Sequence, residues 1–179
     1  LFFWIESSAG ANNWRQFMVS FALFDSSALP DTDTVSAATV SCYGNSSADN
    51  FNQGVVLTNS TPDSNTAIGN ADYTDHNTQM NTELGTARID ITSWSNTAYN
   101  DFTVLSPDTN ISKTSLSKFG FRISGEFDNV EPTWAASVAA EIRCIAADTA
   151  GTATDPTLIV THEAGAVEGG EQAWFNDIF

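Results

Sequence analysis

The chain has 179 residues, 41% of them hydrophobic, with 12 Phe and 5 Trp, which is enough to fill the core of one domain. Six Lys+Arg stand against 22 Asp+Glu, a formal net charge of −16 with no basic stripe to offset it, so a phosphate backbone is repelled and nucleic acid is excluded as a partner. No apolar run approaches the roughly twenty residues of a membrane-spanning helix, which excludes a helical membrane span.

Scarce lysine beside abundant Ser, Thr, Asn and Asp gives an extracellular or virion-surface composition. A surface this acidic is soluble and suits salty surroundings, where screening relieves the repulsion. The first residue is Leu1 rather than Met, which reads as a processed or truncated chain.

Residues 1–5, LFFWI, are compactly apolar. Two readings stand: a first edge strand packed on its own domain, or an arm lent to a neighbouring subunit through Leu1, Phe2, Phe3, Trp4 and Ile5. Residues 7–13 are a loop by composition. From Arg15 the chain alternates, with Phe17, Val19, Phe21 and Leu23 on one face and Gln16, Met18, Ser20, Ala22 and Phe24 on the other. That is the pleat of a strand buried on both sides. Turn formers and Pro30 end it. Residues 35–43 alternate again, with Ala38, Val40 and Cys42 on one face and Thr39, Ser41 and Tyr43 on a face that meets water.

A short strand follows at 54–58, then a long polar stretch at 59–81 with a helical turn at 67–73. Strands are read at 86–92 and 99–105, and a capped helical turn at 110–118. Residues 119–124 form a strand with Phe119, Phe121 and Ile123 inward and Arg122 outward. Two more strands lie at 138–147 and 157–163, separated by a Gly/Thr/Asp turn. Many short strands and turns, with no sustained helical period, predict an all-β fold: an antiparallel β-sandwich of jelly-roll type with long polar loops and an extended C-terminal tail. The organisation expected is an N-terminal strand or arm at 1–12, the sandwich domain at 13–163, and an acidic linker with an aromatic tail at 164–179. Trp174, Phe175, Ile178 and Phe179 in that tail either fold back or dock on a partner.

Three pieces in this order resemble a known family: RQFMVSFALFDSSALPDTDTVSAATVSCYG at 15–44, ISKTSLSKFGFRISGEFDNVEPTWAASV at 111–138, and ADTAGTATDPTLIVTHE at 147–163. They are similar to the DNRLRE-like β-sandwich modules of phage and environmental surface proteins. The features shared are an aromatic strand closing at 24–30, a Ser-Lys-Phe-Gly-Phe-Arg strand at 117–122, and a closing Asp-Pro-x-Leu-x-Val-Thr at 155–161. The resemblance covers most of residues 13–163 and implies a non-catalytic, jelly-roll-like module of secreted, cell-surface or virion proteins, often near carbohydrate-active partners. The family's first strands are shortened here, and the 164–179 tail lies outside it.

No GxSxG elbow is present, and the two histidines, His76 and His162, lie in a polar loop and a terminal strand, so no catalytic residues are assigned and the chain is not read as an enzyme. Cys42 and Cys144 sit in strand-like runs without CxxC spacing. They are either two buried thiols or a disulfide closing a long loop, and a zinc site is not indicated. Calcium is the one ion suggested, through Asp31, Asp33, Asp128 and Glu131, set against the plain alternative of solvated acidic loops. Trp94, Tyr99 and Trp134 lie in or beside loops and are glycan-stacking candidates or core plugs. Two functions follow: a structural subunit (decoration, fibre or filament protein) whose apolar termini join it to copies of itself or to capsid neighbours, or a carbohydrate-binding adhesion module for surface polysaccharide.

Overall fold

The computed structural model describes residues 1–147, 151 and 153–165. They are built mostly from antiparallel β-sheet, arranged as two sheets over a shared core. The strands are β1 (Phe2–Ser7), β2 (Trp14–Met18), β3 (Ser20–Asp25), β4 (Thr34–Asp49), β5 (Gly54–Asn59), β6 (Ile89–Asp90), β7 (Tyr99–Thr103), β8 (Leu116–Ile123), β9 (Ala139–Cys144) and β10 (Thr157–Glu163). Four helical turns decorate them: α1 (Asn70–Thr74), α2 (His76–Gln79), α3 (Pro107–Asn110) and α4 (Ser124–Phe127). None of the described helices is long and apolar enough to cross a membrane.

The larger sheet runs β10-β4-β9-β1-β2, with β7 also on β4; the smaller runs β3-β8-β5-β6. Alternation explains the core. Phe3 and Ile5 of β1, Val40 and Cys42 of β4, and Ala140 and Ile142 of β9 face Val55 and Leu57 of β5 and Phe119, Phe121 and Ile123 of β8. Aromatic rings join the layers: Phe3 stacks on Phe121 with centroids 5.3 Å apart, and Phe102 meets Phe121 edge-on at 5.6 Å. At the bulge in β4 the chain passes so close to Ser95 that a Cβ on Gly44 would lie 1.9 Å from the Ser95 carbonyl oxygen, so only glycine fits.

Four expectations are corrected. The apolar N-terminal run is neither an edge nor a free arm, because β1 is hydrogen-bonded between β2 and β9 and Phe3 and Ile5 are fully buried in their own core. The alternating run from Arg15 is two strands. It leaves the larger sheet after Met18 and enters the smaller one at Ser20, so Phe17 is exposed while Ala22 is buried. The helical turn read at 110–118 lies earlier, at α3, and β8 already begins at Leu116. Arg122 does lie on the opposite side of β8 from Phe121, but it is only 2% exposed because helical turns cover it. The tail residues Trp174, Phe175, Ile178 and Phe179 lie outside the described residues.

Candidate functional site

Beside the edge strand β2 lies a groove of about 700 Å³ between β2, α2, α4 and the loop after α4. One wall is apolar: Trp14, Phe17 and Val19 from β2 and its exit, with Phe127 and Val130 opposite. Phe17 is 40% and Val130 63% exposed, so both offer apolar surface to solvent. Trp14 is held upright by an edge contact with Phe51 at 5.2 Å and by its indole N–H, which donates to Glu131 Oε1 at 2.8 Å. His76, Asn77, Glu126, Asn129 and Glu131 supply the polar part of the lining, with Ile5, Gly125 and Pro132 completing it.

Behind the lining residues His76, Asn77 and Glu126 lies an ion cluster built by a strand-to-helix junction. As β8 ends at Ile123 the chain turns at once into α4, which brings Glu126 back onto Arg122 of the same strand. Arg122 Nε donates to Glu126 Oε2 at 2.7 Å, and its Nη2 donates to Glu126 Oε1 and to Asn77 Oδ1, the latter at 2.8 Å. Nη1 donates to the Met80 carbonyl at 2.8 Å. His76 Nε2 meets Glu126 Oε1 at 2.9 Å, so one carboxylate ties α2 to β8. The guanidinium also lies over the Phe127 ring at 5.2 Å. The junction is pinned by Gln53, whose Oε1 accepts from the Gly125 N–H at 2.6 Å; a Cβ on Gly125 would come within 2.5 Å of that oxygen.

Outside the groove, Arg88 forks between Glu83 and Asp128 with four contacts of 2.6–2.9 Å. The hydrogen bonds it donates to Glu83 first, then to Asp128, hold its guanidinium charged well above the ordinary range. The cations nearest the groove are thus engaged by carboxylates.

A second, smaller hollow of about 480 Å³ opens between the two sheets, lined by Phe24, Asp25, Ser26, Ala28 and Leu29 on one side and Leu158, Val160 and His162 on the other. It lies between β3 and β10, each the outermost strand of its sheet among the described residues. His162 Nδ1 meets Asp33 Oδ2 at 2.6 Å and closes one end of it.

The residues singled out from sequence are scattered. Trp94 is a core residue, 5% exposed, against Phe3 and Phe102. Tyr99 is half-buried and its hydroxyl bonds the Asp155 carbonyl at 2.9 Å; Trp134 is half-buried with its N–H on the Asn13 carbonyl at 3.3 Å. Neither lines a hollow described above. The four calcium candidates are not brought together: Asp33 meets His162, Asp128 meets Arg88, Glu131 meets Trp14, and Asp31 is exposed. Among the described residues no three His, Cys, Asp or Glu side chains form a metal-holding group. Cys42 and Cys144 are both free and buried; the hydrogen-bonding contact with Cys144, then burial, pushes the Cys42 thiol well above its ordinary pKa.

Sequence reading passed over Trp14, Phe127 and Glu126. The one local signal was the four-residue spacing of Arg122 and Glu126 around Gly125, which crosses a strand end and so looked like an acidic loop. No family model, no curated protein and no solved structure matches this chain.

Proposed function

We propose that the chain is a non-catalytic structural subunit of an extracellular or virion-surface assembly, a jelly-roll-type sandwich joined to its neighbours along its open side. The observation that carries this reading is the hollow between β3 and β10, whose lining includes Phe24, Leu29, Leu158 and Val160. β3 and β10 are each the outermost strand of their sheet among the described residues, and Ile159 of β10 is 63% exposed. Such an edge is a template for an added strand unless it is blunted by charge, proline or cover.

The occupant we assign is the segment 173–179, AWFNDIF, of a second copy. Seven residues, 166–172, separate it from the end of the described chain at Gly165, beside Thr32, and they include Glu168, Gly169, Gly170 and Glu171. Trp174, Phe175, Ile178 and Phe179 supply the apolar side chains that Phe24, Leu29, Leu158 and Val160 would cover. Groove and segment on one chain make a head-to-tail contact, which propagates into rings or filaments. Burial of Phe3 and Ile5 in their own core favours the C-terminal segment over the N-terminal run as the joining element. The DNRLRE-like resemblance and the acidic composition agree with such a location.

The test is sedimentation of full-length protein beside the paired variant Trp174→Ala/Phe175→Ala. Wild type should sediment as a concentration-dependent oligomer and the variant as a monomer with unchanged melting. A wild type that stays monomeric, as it would if the segment covered its own edge, contradicts the reading.

A further inference from the structure

We infer that the groove between β2 and α4 is a binding site for a neutral polysaccharide, separate from the assembly edge, with sugar rings lying on Trp14 and Phe17 and hydroxyls bonded by Asn77, Asn129 and Glu131. Sugar recognition needs two kinds of surface at once: an aromatic face for the C–H side of a pyranose, and fixed acceptors and amides at the rim for its hydroxyls. The groove has both within one wall-to-wall span of small-ligand size, about 700 Å³.

The aromatic wall is rigid before any ligand arrives. Trp14 is braced by Phe51 and Glu131, and Phe17 sits beside it with ring centroids 6.1 Å apart on a strand paired to β1. Preorganised rings lose little freedom on binding. The polar side is shaped by the backbone and by one side-chain bond. Asn77 is held by Arg122, and Asn129 takes a left-handed backbone conformation, φ 53°, that turns the chain back so that the Val130 N–H bonds the Gly125 carbonyl at 2.8 Å.

Charge decides which sugar. The titratable groups facing the groove are Glu126, Glu131 and His76, and the nearest cations are engaged: Arg122 by Glu126, Arg88 by Glu83 and Asp128, and Arg15 on β2 by Glu6 at 3.0 Å. Uronate or sulfate groups would meet carboxylates and find no unengaged arginine, on a chain already at −16. Uncharged hydroxyls meet acceptors.

The test is affinity electrophoresis of the full chain through gels containing galactomannan, xyloglucan, mixed-linkage β-glucan or dextran, beside alginate and heparin gels. Two variants accompany it: Phe17→Ala, which removes an exposed ring, and Asn129→Gly, which removes the amide while keeping the backbone turn. Wild type should be retarded in at least one neutral gel and run freely in the anionic ones. Phe17→Ala should weaken that retardation roughly tenfold and Asn129→Gly several-fold, with unchanged melting temperatures. Tryptophan emission of the wild type should shift with the same neutral polysaccharide. Retardation that survives both substitutions, retardation in alginate or heparin, or none in any neutral gel overturns the assignment. Neither substituted residue lines the hollow between β3 and β10, so oligomeric state should be unchanged in both variants and the result is independent of the assembly reading.

Discussion

β1 and β10 are both short apolar strands, one opening the chain and one closing its described part, and they have opposite fates. β1 is flanked on both sides and points Phe3 and Ile5 into the core. β10 is hydrogen-bonded to β4 on one side, leaves Ile159 exposed, and lines a hollow with Leu158 and Val160. Their hydropathy is similar; their neighbours are not. A strand's own residues say that it wants cover, and the topology says whether its own chain supplies it.

The comparison breaks first at β1. Phe3→Ala should cost about 3–5 kcal/mol, because it leaves a hole against Phe121 and Trp94 in a packed core. Chemical denaturation measures this, and a loss within experimental error would mean that β1 is not part of the fold. Next comes the buried ion cluster. Glu126→Gln leaves the Arg122 guanidinium without its carboxylate and should cost about 3 kcal/mol. Adding Arg122→Met should restore part of that loss; a double variant no better than the single one would show that the pair is not coupled.

Acid sharpens the picture more gently. Asp72 takes hydrogen bonds from the Gly69 and Asp63 N–H groups, both at 2.8 Å, which lower its pKa below the ordinary aspartate value. The unfolded chain therefore binds the proton first as pH falls. The stabilisation is present above the ordinary value of about 4 and is lost as pH drops through the lower folded value. Melting temperature should fall below about pH 4, and Asp72→Asn should flatten that fall; an identical pH curve for the variant would contradict it. The smallest effect on stability belongs to β10. Ile159→Lys should change folding stability by less than about 0.5 kcal/mol, since the side chain is already exposed, yet it should prevent association at that edge. A large loss of stability would mean that Ile159 is covered by its own chain.

How much of this was legible in the sequence follows from how local each feature is. β8, β9, β10 and the first part of β4 were readable because alternation sets which face is buried, and Ala38, Val40, Phe119, Phe121 and Ile123 all point inward as their spacing required; the polar run 44–50 looks like a break, yet β4 continues through it to Asp49. The crossing between sheets at Val19 was not, because an unbroken alternating run carries no mark of where hydrogen-bonding partners change. Arg122 could not be seen as buried, since its cover includes the Met80 carbonyl and Asn77, more than forty positions away in sequence. The groove is hidden for the same reason: β2, α2 and α4 meet only in space. Trp94 misled because a lone tryptophan among Ser, Thr and Asn looks like a loop residue, whereas here it fills the core beside Phe102.

The most direct measurement is the solution mass of the full chain by light scattering, at rising protein concentration and at low and high salt. Association through an apolar edge between copies at −16 should appear as a mass that grows with concentration and grows further when salt screens the repulsion. A mass that stays at 19.2 kDa under every condition would contradict it.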